Sequence, residues 1–131
     1  MPSITIFGAT GHLARPVIDA FLAAGWAVRA LVRDEAAARA KLPAVVQLVP
    51  GDLRDAAAVA RALAGAECVY CNLSIRPGEK EGGWLAEREG LQTLLTEAKK
   101  AGVRRLGYLS SLIYRFNGTD GWRWWIFEVK A

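Results

Sequence analysis

Residues 8 to 14 read GATGHLA, and the types and spacing of this string suit it to holding an anion by its backbone. A phosphate-binding turn needs a glycine for the tight exit from a strand, a second where backbone meets pyrophosphate, and a small residue where the next helix packs on the strand. Gly8, Gly11 and Ala14 meet those needs in order. A helix starting there aims its free N–H groups and its dipole at the anion, so affinity comes from backbone rather than side chains. About 20 residues on, where a dinucleotide site reads the adenosine ribose, stand Arg33 and Asp34. An arginine accommodates a 2′-phosphate and an acid bonds free ribose hydroxyls, so Arg33 favours NADP(H) while Asp34 keeps NAD(H) open. A solvated Arg-Asp pair is the alternative to both. Cys68 and Cys71 have a CxxC spacing, but a redox pair belongs at a helix N-terminus, and residues three apart on a strand face opposite sides. They are read as buried packing, and no metal site is expected.

The elements around these residues follow from periodicity and punctuation. Ser3 to Phe7 is a short apolar run bounded by Gly8, and Leu13, Val17, Phe21 and Ala24 then recur at helical spacing until Gly25. Ala27 to Val32 is a second strand, and Asp34 to Lys41 a short alanine-rich helix closed by Pro43. Val45 to Val49 is a third strand, Ala56 to Leu63 a helix capped by Asp55, and Glu67 to Asn72 a fourth strand. Arg76 to Gly83 is a loop. Trp84 to Ala101 is the longest predicted helix, with Leu85, Leu91, Leu94, Leu95 and Ala98 as its apolar stripe, and Arg105 to Ser110 is a fifth strand. The tail predicts a polar loop and then a helix from near Trp122. Strands alternating with helices at this spacing require parallel pairing through right-handed crossovers. The prediction is a doubly wound α/β fold, a Rossmann sheet in the order 3-2-1-4-5.

Composition agrees. A chain of 131 residues, 53% hydrophobic and 23% charged, is the size of one soluble domain with one core. Two cysteines exclude a disulfide scaffold. The N-terminus, MPSITIF, lacks a basic region and a long apolar stretch, and no apolar run approaches the roughly 18 residues a membrane helix needs, so a cytoplasmic protein is expected, with no membrane partner. A net charge of +4 suits a phosphorylated small molecule as well as nucleic acid. The densest basic stretch, Lys99, Lys100, Arg104 and Arg105, falls at a predicted helix C-terminus, where positive charge complements the dipole, so no nucleic-acid partner is expected.

GATGHLA, LVRD (Leu31 to Asp34), GDLRD (Gly51 to Asp55) and YLSS (Tyr108 to Ser111) together resemble the atypical short-chain dehydrogenase/reductase superfamily, and most of all its NmrA-like, NAD(P)-binding members. The resemblance implies cofactor contacts from Gly8, Thr10, Gly11, His12 and Leu13 in the turn, His12 through its backbone. It places Asp52, with the backbone at Leu53, beside the adenine, although Asp52 could equally cap the next helix. Asn72, Leu73 and Ser74 lie at the carboxyl edge of the predicted sheet, where a topological switch crevice opens near the nicotinamide ribose; a structural reading stands beside the functional one.

For the chemistry itself, the same resemblance points to a serine after strand five and to a YxxxK pair. Ser110, Ser111 and Lys130 match, with Ser111 expected to assist catalysis and Ser110 to contact the cofactor. The position four before Lys130 is Ile126, which cannot donate a proton; Tyr114 is the candidate substitute. Lys130 either holds the nicotinamide ribose or is a solvated helix lysine. The resembling proteins continue into a region that forms the substrate pocket, so residues 1–131 are expected to be an NAD(P)-binding domain lacking it. Two functions fit: an NADPH-dependent oxidoreductase acting on a small carbonyl or quinone-like acceptor, or a non-catalytic NADP(H)-sensing regulator. Trp122, Trp124, Trp125 and Phe127 predict a homo-oligomer through the C-terminal aromatic segment.

Overall fold

Strand β1 (Ser3–Phe7) is buried along nearly its whole length, the pattern expected when helices cover both faces of a parallel sheet. The computed structural model describes residues 1–112, 115, 117–121 and 124–129. Around β1 assemble β2 (Ala27–Val32), β3 (Gln47–Pro50), β4 (Cys68–Cys71) and β5 (Arg105–Tyr108), all parallel, in the order β3-β2-β1-β4-β5. This is the Rossmann order expected from the alternation of elements. The crossovers are α1 (Ala14–Ala23), α2 (Glu35–Lys41), α3 (Ala56–Leu63) and α4 (Leu91–Lys100), and a short α5 (Trp125–Glu128) follows.

Alternation along β1 divides the core in two. Ile4 and Ile6 pack with Ile18 of α1 and Ala38 of α2, whereas Phe7 packs with Val59 and Leu63 of α3 and Leu94 of α4. Buried polar groups at this interface have defined work. The Thr5 hydroxyl donates to the Ala62 carbonyl at 2.7 Å, and Arg29 Nη1 donates to the Ala62 and Ala64 carbonyls at 3.0 and 2.7 Å. Strands β1 and β2 thus satisfy carbonyls that the end of α3 cannot satisfy itself. At the other helix ends, the Asp34 and Asp55 carboxylates accept from the N–H groups of Ala37 and Ala57, each at 3.0 Å.

Several boundaries depart from the sequence reading. β3 begins at Gln47 rather than Val45, because the Val46 N–H closes a turn onto the Pro43 carbonyl and Val45 is left exposed. β4 and β5 are shorter than predicted, since pairing with β1 and β4 ends at Cys71 and Tyr108. The single helix expected over Trp84 to Ala101 is a π-helical turn (Ala86–Gly90) running into α4. The Gly90 N–H reaches the Leu85 carbonyl at 3.1 Å, and carboxylates take the first N–H groups: Glu89 that of Leu85 at 2.8 Å, Glu79 that of Ala86 at 3.1 Å. That wider turn rotates the helix, so Leu94 and Ala98 are buried but Leu95 is exposed. The C-terminal helix starts at Trp125; Trp122, from which it was predicted, lies outside the described residues. Among the described residues no helix is long and apolar enough to cross a membrane, and no cluster of potential metal ligands occurs.

Cys68 and Cys71 are both free thiols; Cys71 is fully buried, as the packing reading requires, whereas Cys68 is only half-buried against the core on the other face. Burial pushes the Cys71 thiol from its ordinary value of 9.0 up to about 12. A raised value in the folded state favours the protonated thiol there, so this contribution to stability is complete below about pH 9 and is lost as pH rises towards 12. The urea midpoint is therefore expected to fall across that window, and Cys71→Ala to lessen the fall; an equal slope in the variant would contradict this assignment.

Candidate functional site

The phosphate turn is built where two strands leave the sheet together. Gly8 has φ +76°, and a Cβ there would lie 2.0 Å from the Asn72 carbonyl oxygen, a distance no side chain tolerates. Gly11 is also close: its Cβ would fall 2.8 Å from Asn72 Nδ2. Hydrogen bonds fix this approach. The Asn72 N–H donates to the Phe7 carbonyl at 2.9 Å and its side-chain amide donates to the Gly8 carbonyl at 3.3 Å. Within the turn, the Gly11 N–H donates to Gly8 and the Ala14 N–H to Gly11, each at 3.1 Å. Thr10, Gly11, His12 and Leu13 remain exposed. No side chain caps the start of α1 and no acid stands in its first turn, so its dipole is free to act on a bound anion.

Beside this turn runs a groove of about 810 Å³ along the carboxyl ends of β1 to β4. Gly8, Thr10, Gly11, His12, Leu13, Arg33, Asp52, Leu53, Asn72, Leu73 and Ser74 all line it. Every residue expected to touch a cofactor from these four strand exits is thereby brought to one crevice. A glycine cradle that side chains would fill, facing an uncapped helix start, fits a pyrophosphate. Ser110 and Ser111 follow β5 and do not line this groove. Tyr114 and Lys130 lie outside the described residues.

At the β2 and β3 exits the groove is strongly charged. Arg33 is exposed and makes no hydrogen bond or ion pair among the described residues, so it is not a solvated partner of Asp34. Asp34 instead caps α2. Asp52 does not cap α3, which Asp55 does; its Oδ1 accepts from the Arg54 N–H at 3.1 Å. Burial opposes the charge on Asp52, but the Arg54 N–H and the Arg76 guanidinium outweigh it and hold the carboxyl below its usual range.

Arg76, in the segment the sequence reading gives as a loop, lines this end of the groove, with Glu79 and Trp84 packed against it. Arg76 forks onto Asp52 at 3.2 and 3.4 Å and donates through Nε to Glu79 at 2.9 Å. Its guanidinium lies 4.9 Å from the centre of the Trp84 ring, with that of Arg54 at 4.6 Å. A charged residue three before an acid was the only local sign of this cluster; its pairing with Asp52, 24 residues away, has no periodic signature. A second missed contact joins Tyr108 at the end of β5 to buried Glu87, hydroxyl to carboxylate at 3.3 Å. Burial, and then the Glu87 charge, push the Tyr108 hydroxyl up to about 12.

A family model described as NAD(P)H-binding matches residues 8–129. Sterol demethylase protein B of Methylococcus capsulatus is 38% identical over 109 residues, which make up 81% of this chain and 33% of that protein. Among solved structures, the NADPH-dependent quinone oxidoreductase of Escherichia coli, complexed with NADPH, superposes with a TM-score of 0.72 at 28% identity, covering 97% of this chain and 41% of that one. The anaerobilin reductase ChuY of Escherichia coli superposes with a TM-score of 0.72 at 26% identity, covering 91% and 57%. The chain thus spans a third of that curated relative and about half of the solved chains. With its Rossmann sheet order, its glycine turn and a match across nearly its whole length, the chain belongs to the NAD(P)H-binding family.

Proposed function

We propose that residues 1–131 are the NADP(H)-binding domain of an atypical short-chain oxidoreductase that reduces a small carbonyl or quinone-like acceptor. The observation that carries this reading is the charged ribose end of the groove: Arg33 makes no hydrogen bond or ion pair there among the described residues, while the acid beside it is occupied as a helix cap. An arginine left free at the end of β2 suits a 2′-phosphate, whereas NAD(H) selection needs a free acid. The quinone oxidoreductase similar to this chain uses NADPH, which supports both the cofactor and the acceptor class. A bound nicotinamide supplies the hydride; this chain's residues hold it in place. Gly8 to Leu13 cradle the pyrophosphate, Asp52 and Leu53 flank the adenine, and Asn72 to Ser74 and Ser110 support the nicotinamide half. Ser111, Tyr114 and Lys130 complete the proposed catalytic set. The protein works in the cytoplasm, and the aromatic C-terminal segment joins copies of the chain.

A second reading, an NADP(H)-sensing regulator without catalysis, is favoured by one observation. Ile126 stands where the familiar triad places its tyrosine and cannot donate a proton. Acceptor-dependent turnover decides between the two. NADPH consumption with quinones or aldehydes supports the enzyme, and tight cofactor binding with no consumption by any of them supports the regulator.

Cofactor binding is the prior test. Titration with NADPH, followed by tryptophan quenching and by calorimetry, is expected to saturate at lower concentration than with NADH. Arg33→Ala is expected to weaken NADPH about tenfold to a hundredfold, the worth of a charged hydrogen bond, and NADH hardly at all. Gly11→Ala places a methyl against the Asn72 amide and is expected to weaken both nucleotides alike. Equal affinity of the unaltered chain for both nucleotides would contradict the assignment of Arg33.

A further inference from the structure

Asp52 puts a carboxylate beside the arginine that the NADP(H) reading assigns to a phosphate. Val32 and Pro50 are paired in register, and the Gly51 N–H donates to the Val32 carbonyl at 2.9 Å, so Arg33 and Asp52 leave neighbouring strands side by side. Both line the groove, with Asp34 and Lys41. A 2′-phosphate carries close to two negative charges at neutral pH and is repelled by a bare carboxylate. Left alone, Arg33 would face two acids, Asp34 and Asp52, and the site would suit the free hydroxyls of NAD(H).

Resting on the NADP(H) reading, we infer that Arg76 is a positioning residue for phosphate selectivity, its forked guanidinium neutralising Asp52 so that Arg33 remains the uncompensated charge at the ribose end. The fork is held from behind. Arg76 is only 16% exposed, Glu79 accepts from its Nε, and the Trp84 ring lies against it. A guanidinium held at Nε and against a ring offers its two terminal nitrogens to one carboxylate, and that is where they are found. The pairing does not exhaust Asp52, because each carboxylate oxygen has two acceptor positions and the adenine amino group needs one. Asp52 can thus face the base while the Arg76 guanidinium offsets its charge beside the phosphate. The ionised form of Asp52 draws support from Arg33 as well as from Arg76, as expected if the three groups share one electrostatic environment. The loop carrying Arg76 therefore takes part in nucleotide choice from the opposite side of the groove to the β2 exit.

The test is the ratio of NADPH to NADH affinity, measured by calorimetry on the whole chain and its variants, with circular dichroism to establish folding. Arg76→Gln is expected to lower that ratio about tenfold, chiefly through NADPH, because it leaves Asp52, and Glu79 behind it, without their shared cation at partly screened range. Arg76→Lys keeps the charge but loses the fork and is expected to lower the ratio by less than Arg76→Gln does. In the double variant Arg76→Gln with Asp52→Asn, the carboxylate beside Arg33 is gone, and the ratio is expected to recover even if both affinities drop through loss of an adenine contact. Asp52→Asn alone, which leaves Arg76 folded against Glu79, is expected to raise the ratio and serves as the test should Arg76→Gln not fold. Equal weakening of both nucleotides by Arg76→Gln, or a ratio unmoved by Asp52→Asn, would overturn the inference while leaving Arg33 intact. If the unaltered chain does not prefer NADPH, the Arg33 reading falls first and this inference with it.

Discussion

Everything at the candidate site depends on how closely the chain leaving β1 approaches the chain leaving β4. Gly8 lies against the Asn72 carbonyl at a separation that leaves no room for a Cβ, and Asn72 holds the turn through both its backbone and its side-chain amide. This contact lets the backbone turn sharply from strand to helix, and it sets where α1 begins and where its dipole points. It also sits where the sheet order reverses about β1, the place at which adjacent crossovers go to opposite faces and a crevice must open. Sheet topology and anion site are therefore two results of one arrangement.

The energetic support for that arrangement comes from below it. Parallel strands need both faces covered, and α1 and α2 on one side with α3 and α4 on the other provide this through Ile18, Ala38, Leu63 and Leu94. Full burial of the isoleucine and leucine side chains contributes roughly 1.5 to 3 kcal/mol each. The polar exceptions in this layer, Thr5 and Arg29, are bonded to carbonyls at the end of α3, so they fasten helix to sheet where unpaired groups would cost stability. A rigid base of this kind keeps the strand exits in place while the residues beyond them remain exposed for binding.

Legibility in the sequence followed the range of the interactions. GATGHLA announced its turn because each glycine answers a local steric demand, and the eleven residues expected at a cofactor from four strand exits line one groove. Arg33 and Asp34 both reach the groove at the β2 exit, but that Asp34 is occupied depends on its capping α2, a choice between two local uses of one carboxylate. The π-helical turn at Ala86–Gly90 escaped periodicity because Leu94 and Ala98 still repeat at helical spacing after it, and only Leu95 falls off the buried face. Arg76 was hidden for a different reason. Its partners Asp52 and Trp84 lie before and after it along the chain, and no spacing rule joins residues brought together by a loop crossing a sheet edge. The serines after β5 illustrate the reverse case, matched by motif and yet outside the groove.

The central claim is that the backbone between Gly8 and Leu13 binds a pyrophosphate. Its most direct test is the amide spectrum of isotopically labelled protein as NADP⁺ is added. Hydrogen bonds from those amides to phosphate oxygens predict the largest shifts at residues 8–13, with smaller ones at Arg33 and Asp52. A spectrum in which the turn stays unchanged while the nucleotide saturates elsewhere, or one with no shifts at all, would contradict it.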